Sequence, residues 1–251
     1  MRKNPIAATL ADEAYSVIRE RIVRGDVGIG QVISRRKIAA ELGMSFLPVS
    51  EAFLRLEFEG LLESRPRAGT RVRIPSSDDV RGHYIVREAL EVQAAKLVAE
   101  NATMEEFAEL IKLAQRVDAI ASQADGDRPM FLTLHARLHR RIAECSGCQA
   151  LCDALEKTAA LSSIWLCIGR IVDHAGLPVR RHQDLIEALA SRDPQVAAEV
   201  MREHIFISQR RMLEALEPYF ELGEAQGQTY SRNPRRPVPE SVDARIADLP
   251  M

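Results

Sequence analysis

The stretch from Ser34 to Phe58 constrains this chain more than any other. It reads SRRKIAAELGMSFLPVSEAFLRLEF, two amphipathic halves separated by Gly43-Met44-Ser45. Ser34 and Ser45 stand where helix N-caps are expected. In the second half Val49, Ala52, Phe53 and Leu56 recur at i, i+3, i+4, i+7, which gives one buried helical face. Two short helices around so tight a turn have helix-turn-helix spacing. GLLESRPRAGTRVRI follows, two strand-like runs around Pro66-Arg67-Ala68-Gly69 that form the expected wing of a winged helix. Periodicity alone leaves open a two-helix hairpin of any α-rich domain.

Charge supports the first reading. Residues 1 to 75 hold 13 Lys+Arg against 9 Asp+Glu, a net +4 in a chain whose total is −2. The remainder therefore carries −6. A basic N-terminal module on an acidic body suits a protein that presents one part to phosphates and keeps the rest off them. With 251 residues the chain is long enough for two cores. No run approaches the about 18 apolar residues of a membrane span, and the start MRKNPIAATLADE lacks a signal peptide's apolar centre. The expectation is a cytoplasmic protein without a membrane partner.

Along the chain, residues 9 to 24 read as a first helix with Leu10, Ala14, Ile18 and Ile22 on one face and Gly25 as its stop. The turn-rich segment Gly25 to Gly30 leads through Val32 and Ile33 to Ser34. After Pro75 the run Ser76-Ser77-Asp78-Asp79 is a helix-start signal, so residues 1–75 form one domain and a second begins at 76. Helices are expected over 78–100, 104–124, 128–146, 149–172, 179–191 and 195–219, with Thr103 to Glu106 a capping box and Asp193-Pro194 a cap followed by proline at the first helical position. The fold class is therefore mainly α, a winged helix-turn-helix followed by an all-helical antiparallel bundle of six to seven helices spanning 76–222. The polar, proline-rich residues 223–251 read as a disordered tail.

Two sets of side chains could hold a metal. Cys145-x-x-Cys148 invites zinc or redox chemistry, but without a second pair buried helix packing is the plainer role. His135 and His139 are i, i+4 on one helix, a geometry that can chelate. His182 opens the fifth bundle helix and His204 lies on the sixth, so an antiparallel bundle could bring all four together. Scattered surface histidines are the alternative. His83 and His174 have no partner spacing. His135-Ala136-Arg137-Leu138-His139 has the histidine spacing of a metalloprotease helix, yet Ala136 stands where such an enzyme needs its glutamate base. No phosphate loop and no G-x-S-x-G elbow is present.

Taken together, these residues resemble the GntR family of bacterial transcriptional regulators, in the FadR-type branch with a helical FCD ligand-binding domain. The resemblance covers about residues 9 to 220. It lies in the run from Gly25 to Gly30, then Ile38-Ala39-Ala40-Glu41-Leu42-Gly43-Met44-Ser45, Pro48-Val49, Glu51-Ala52, Arg55-Leu56-Glu57, Glu59-Gly60-Leu61-Leu62 and Gly69-Thr70-Arg71-Val72. It continues in Arg87-Glu88-Ala89-Leu90-Glu91 and in His139 to Gly147, with His182 and His204 fitting two late histidines. The resemblance implies a metal held by three histidines and an aspartate, and His135 stands at the aspartate's position. A four-histidine site of His135, His139, His182 and His204 is then expected, favouring zinc, with nickel possible. It also implies a small organic acid effector, with Arg87 a candidate carboxylate anchor. A surface salt bridge from Arg87 to Glu91, at i, i+4, is the alternative role.

The implied function is a homodimeric, ligand-responsive regulator, in sign a repressor, reading a palindromic double-stranded DNA operator. The alternatives are a metal-dependent enzyme of the helical bundle and a regulator that senses the metal itself. For DNA contact the expected residues are Arg35, Arg36, Lys37, Ser45, Phe46, Leu47, Ser50, Arg67, Gly69 and Arg71. Family members usually carry arginine where this chain has Phe46 and Ser50. Leu54 and Phe58 lie on a second apolar stripe and are expected to dock the head on the bundle or on a partner subunit.

Overall fold

A computed structural model of the chain describes residues 9–123, 128–168 and 180–225. The N-terminal unit runs α1 (Leu10–Arg24), β1 (Val32–Ile33), α2 (Arg35–Leu42), α3 (Phe46–Phe58), β2 (Leu62–Arg65) and β3 (Gly69–Val72). Local signals account for most of these limits. Thr9 and Asp12 form a reciprocal capping box at the start of α1, and Gly25 ends it at φ 80°. The Ser34 hydroxyl accepts from the Lys37 N–H at 3.3 Å, and Gly43 ends α2 at φ 63°.

The head's core lies between α1 and α3. Ala14, Ile18 and Ile22 meet Val49, Ala52, Phe53 and Leu56, all fully buried. The face expected on α1 shifts by one position, because Leu10 is 57% exposed at the helix's outer end and Ala11 is buried in its place. The connection through Val32 and Ile33 is more than a linker. It adds a third antiparallel strand to the wing, in the order β1-β3-β2, with Val32 opposite Arg71 and Leu62 opposite Val72. Burial alternates along β3, with Thr70 and Val72 turned inward.

Six further helices are described beyond the wing: α4 (Ser77–Asn101), α5 (Met104–Ala121), α6 (Arg128–Cys145), α7 (Gln149–Ile168), α8 (Arg181–Ala190) and α9 (Pro194–Ala225). Ser76 with Asp79 and Thr103 with Glu106 are capping boxes, and the Asp193 carboxylate accepts from the Gln195 N–H at 2.8 Å. The long α4 packs along α9, and α5 packs against both α6 and α8. Helix α9 continues through Pro218 to Ala225, past both its expected end at 219 and the expected domain limit at 222. The expected end of α7 at 172, His174 and the tail from 226 onward lie outside the described residues. Among the described residues, no helix is long and apolar enough to cross a membrane.

Candidate metal centre and DNA-reading surface

The bundle turns four histidines toward one point. His135 and His139 come from α6, His182 from the first turn of α8 and His204 from α9, and each offers a ring nitrogen within 4.8 Å of the others. The rings form a closed circuit, with centroids 4.6 Å apart for His135–His139, 5.2 Å for His135–His182, 5.1 Å for His182–His204 and 5.3 Å for His204–His139. Packing sets this arrangement: Leu134, Leu138, Leu185, Ile186, Met201 and Ile205 bury the neighbouring positions of the same helices.

Two carboxylates behind the rings fix their orientation. Glu91 on α4 meets Nδ1 of His139 at 2.6 Å, and Asp118 on α5 meets Nδ1 of His182 at 2.6 Å. Each hydrogen bond turns Nε2 of its ring toward the centre. The Nε2 atoms of His139 and His182 and both nitrogens of His204 are buried without a hydrogen-bond partner. Such orphaned buried nitrogens cost stability unless something satisfies them. A divalent transition metal fits this donor set, since imidazole suits such ions and carboxylate-backed imidazole is the better base.

The electrostatics keep the donors available. Burial pushes His135 well below its ordinary value, aided by the Arg87 and Arg181 guanidiniums, and burial with the Arg181 guanidinium does the same for His204. A neutral imidazole has a lone pair to give. Arg181 donates to the His204 carbonyl at 2.8 Å and to the Ser208 hydroxyl at 2.6 Å, tying α8 to α9; burial lowers this guanidinium to about 10, so it stays charged. Burial acts to raise the Glu91 carboxyl, but Arg87 and His139 outweigh it and hold the group at about 2. Burial likewise opposes the Asp118 carboxylate, and hydrogen bonds from His182 and Gln183 overcome it.

A cavity of about 450 Å³ opens beside the histidines, between α6 and α7 with α4 as its floor. His135, His139, Arg87 and Glu91 line its inner end, while Gly147, Cys148 and Cys152 line the end near the α6–α7 turn. Arg87 does bond Glu91, at 2.7 Å, but as a buried pair in the cavity wall and not as a surface bridge. One Glu91 carboxylate thus joins the candidate anchor to His139. Cys145, Cys148 and Cys152 are free thiols, and Cys145 is buried with its thiol pushed up to about 11. Among the described residues, the grouping of His, Cys, Asp and Glu suited to a metal is the four histidines.

In the head, the residues expected to meet DNA divide into two sets. Arg36, Lys37, Ser45, Phe46, Leu47, Arg67 and Gly69 are exposed, Phe46 and Leu47 at 55% and 76%. Arg67 stands at the wing tip with φ 65°, beside Gly69 at φ 82°. The others, Arg35, Ser50 and Arg71, are turned into the head. Arg35 donates to Glu57 at 2.7 Å and to Ser64 at 3.2 Å, lying 4.9 Å from the Phe53 ring. Arg71 pairs with Glu63, the residue opposite it on β2, and its side chain is 12% exposed. The Ser50 hydroxyl is buried, so it does not point to a groove. Ser45 occupies the cap position of α3 without a side-chain cap hydrogen bond. Leu54 and Phe58 are 62% and 94% exposed, so neither docks on the chain's own bundle.

Asp118, Arg181 and Ser162 have no role legible in the sequence, where Glu91 reads only as a salt-bridge partner of Arg87 and His83 as a histidine without partner spacing. For His83 and Glu91 a signal existed: His83, Arg87 and Glu91 are spaced four apart, a polar stripe on a helix that buries its neighbours Tyr84 and Val92. Asp118 and Ser162 carry none.

Comparison with known proteins places this architecture. Residues 10–72 match the bacterial regulatory proteins of the gntR family, and residues 83–206 match the FCD domain. A protein of Paenarthrobacter nicotinovorans named "Probable D-xylose utilization operon transcriptional repressor" is 29% identical over 208 residues, covering 78% of this chain and 86% of that one. The HTH-type transcriptional repressor RspR of Escherichia coli K12 is 27% identical over 201 residues, covering 77% and 84%. In fold, a GntR transcriptional regulator from Rhodococcus sp. RHA1 superposes with a TM-score of 0.67 at 20% identity, covering 82% of this chain and 98% of that one. These relatives are transcriptional regulators, which sets aside the metal-dependent enzyme. The chain belongs to the GntR family of DNA-binding transcriptional regulators, with an FCD domain as its helical half.

Proposed function

We propose that this regulator is a homodimeric cytoplasmic repressor whose bundle holds a divalent transition metal, zinc or else nickel, and releases a palindromic operator when a small carboxylate effector binds. His135, His139, His182 and His204 would hold the metal. The observation that carries the reading is the set of orphaned buried nitrogens on His139, His182 and His204, which face one another beside the cavity lined by Arg87. When bound, the metal supplies a Lewis acid for a carboxylate's oxygens. The chain's own part is to orient the rings through Glu91 and Asp118 and to bring a guanidinium to the cavity wall. An effector that favours one packing of α4, α6 and α7 shifts the balance between two arrangements of the paired heads, and with it operator affinity.

Phosphate contacts would come from Arg36, Lys37 and Arg67, with Leu47 placed to meet a thymine methyl. Leu54 and Phe58, unused within the chain, would be available to a partner subunit.

Metal analysis of the purified full chain beside His139→Ala tests the centre. The expected result is one metal per chain in the parent and much less in the variant; no stoichiometric metal in either removes it. An operator gel shift with metal titrated in the absence of any organic acid separates effector sensing from metal sensing. Release by the metal alone would favour the latter.

A further inference from the structure

His83, Arg87 and Glu91 follow one another at four-residue spacing on α4, and each side chain makes a polar contact with a residue that lines the cavity. Arg87 and Glu91 belong to the site already described. His83 has a separate partner: its Nε2 lies 2.7 Å from the Ser162 hydroxyl of α7. Ser162 is buried and lines the same cavity as Arg87, His135 and His139. The Trp165 ring meets His83 edge-on at 4.9 Å, which holds the imidazole in place.

We infer that Ser162, positioned by His83, reads a hydroxyl group on the effector, so that the regulator's ligand is a hydroxylated carboxylic acid and not a plain alkanoic one. This rests on the carboxylate effector proposed above and goes beyond it by naming the second group recognised. The serine is an effector contact; His83 is its positioning residue.

Hydrogen-bond bookkeeping selects the class. Burial holds His83 down at about 3, so the ring is neutral and its Nε2 either accepts or donates, according to tautomer. If Nε2 accepts, it takes the serine proton and leaves the Ser162 oxygen to accept from the ligand. If it donates, the serine proton is free to be given to the ligand. A ligand hydroxyl is both donor and acceptor and satisfies either state. A methylene satisfies neither, and leaves a buried serine unpaired on its cavity side. Sites built around a hydroxyl reject analogues lacking it far more strongly than apolar pockets reject an added one. The cavity, at about 450 Å³, has room for a small polyhydroxylated acid.

The test uses metal-loaded full-length protein and titration calorimetry with matched pairs of three- to six-carbon acids: lactate against propionate, 2-hydroxybutanoate against butanoate, gluconate against hexanoate. In the parent, the hydroxylated member of at least one pair should bind roughly ten- to a hundredfold tighter, the range of one buried hydrogen bond. Ser162→Ala should collapse that preference by weakening the hydroxylated member while leaving its deoxy partner unchanged. His83→Phe, which keeps a ring against Trp165, should do the same, and His83→Gln should restore part of the preference. A general packing defect would weaken both members alike. The inference is overturned if the parent shows no preference in any pair, or if the preference survives Ser162→Ala. Arg87→Ala separates the two claims. Carboxylates that bind, with or without dependence on Arg87, but show no hydroxyl preference sink this inference alone, whereas no binding of any acid to the parent sinks the carboxylate effector with it.

Discussion

Asp118 and His182, 64 residues apart in the chain, share a 2.6 Å contact between carboxylate and Nδ1, and the same carboxylate accepts the backbone N–H groups of His182 and Gln183. One buried side chain therefore does two jobs. It caps the N-terminus of α8, where Arg180 stands at the cap position without a side-chain cap of its own, and it aims Nε2 of His182 at the other histidines.

Asp118→Asn keeps the size of the side chain but loses its charge and one acceptor. Metal affinity should fall by about 10- to 100-fold. Thermal stability of the metal-free protein should fall by about 1 to 2 kcal/mol through the weakened cap. Competition with a chromophoric chelator measures the first and a melting curve the second. Unchanged affinity would mean that Asp118 does not orient a ligand.

Removing the metal should lower the melting temperature. At a free metal concentration about 1,000 times Kd the bound ion stabilises by about 4 kcal/mol, which corresponds to roughly 10 °C for a chain of this size. His204→Ala should abolish this response to added zinc while leaving the head folded, because Met212 and Leu216 keep α9 anchored in the core. Differential scanning fluorimetry with and without a chelator reads both results.

The metal-free protein should lose stability in mild acid. His83 is held at about 3 against an ordinary 6.5, so between those values the unfolded chain binds a proton that the folded one does not. Stability is then complete above pH 6.5 and falls as pH drops toward 3, with a slope of at most about 1.4 kcal/mol per pH unit for that group. His135 and His204, shifted in the same direction, steepen the fall. Glu91, held at about 2, adds its own loss only below the ordinary carboxylate value. Urea titrations from pH 7 to 5 should show a shallower decline for His83→Gln than for the parent. Equal slopes would show that His83 is not buried in its neutral form.

Basic residues of the head should separate by role. Lys37→Ala and Arg67→Ala should weaken operator and random DNA alike and lower the salt slope by about 1 each, the signature of a lost phosphate contact. Arg71→Ala and Arg35→Ala should instead cost stability, on the order of 1 kcal/mol, since each removes an internal ion pair and its hydrogen bonds. Fluorescence anisotropy at several salt concentrations, paired with denaturation, distinguishes them. A reduced salt slope for Arg71→Ala without loss of stability would place that guanidinium on DNA.

The local parts of this protein were written in its sequence because local physics decides them. Val49, Ala52, Phe53 and Leu56 are buried at helical spacing, Ser34 caps α2, Gly25 and Gly43 take the left-handed turns that end their helices, and the three capping boxes lie where serine or threonine precedes an acid by three. The pairing of His135 with His139 follows from one helical turn. That His182 and His204 join them was an expectation of topology and resemblance, and the packing of α6, α8 and α9 supplies it.

Only the tertiary structure decided which charges stay exposed and which are spent inside the head. Nothing in the run Arg35-Arg36-Lys37 tells the first arginine from the next two, yet Arg35 turns back to Glu57 and Ser64 because α3 and β2 lie beneath it. Arg71 is claimed by Glu63 through strand register. The third strand at Val32 and Ile33 exists because β3 offers an edge to pair with, and two residues carry too little pattern to announce it. In the same way Glu91, Asp118 and Ser162 acquire their roles from helices that meet far apart in the chain. Periodicity reports which face of a helix is buried; what that face is buried against depends on contacts between segments, and there the second carboxylate, the buried hydroxyl and the orphaned nitrogens find one another.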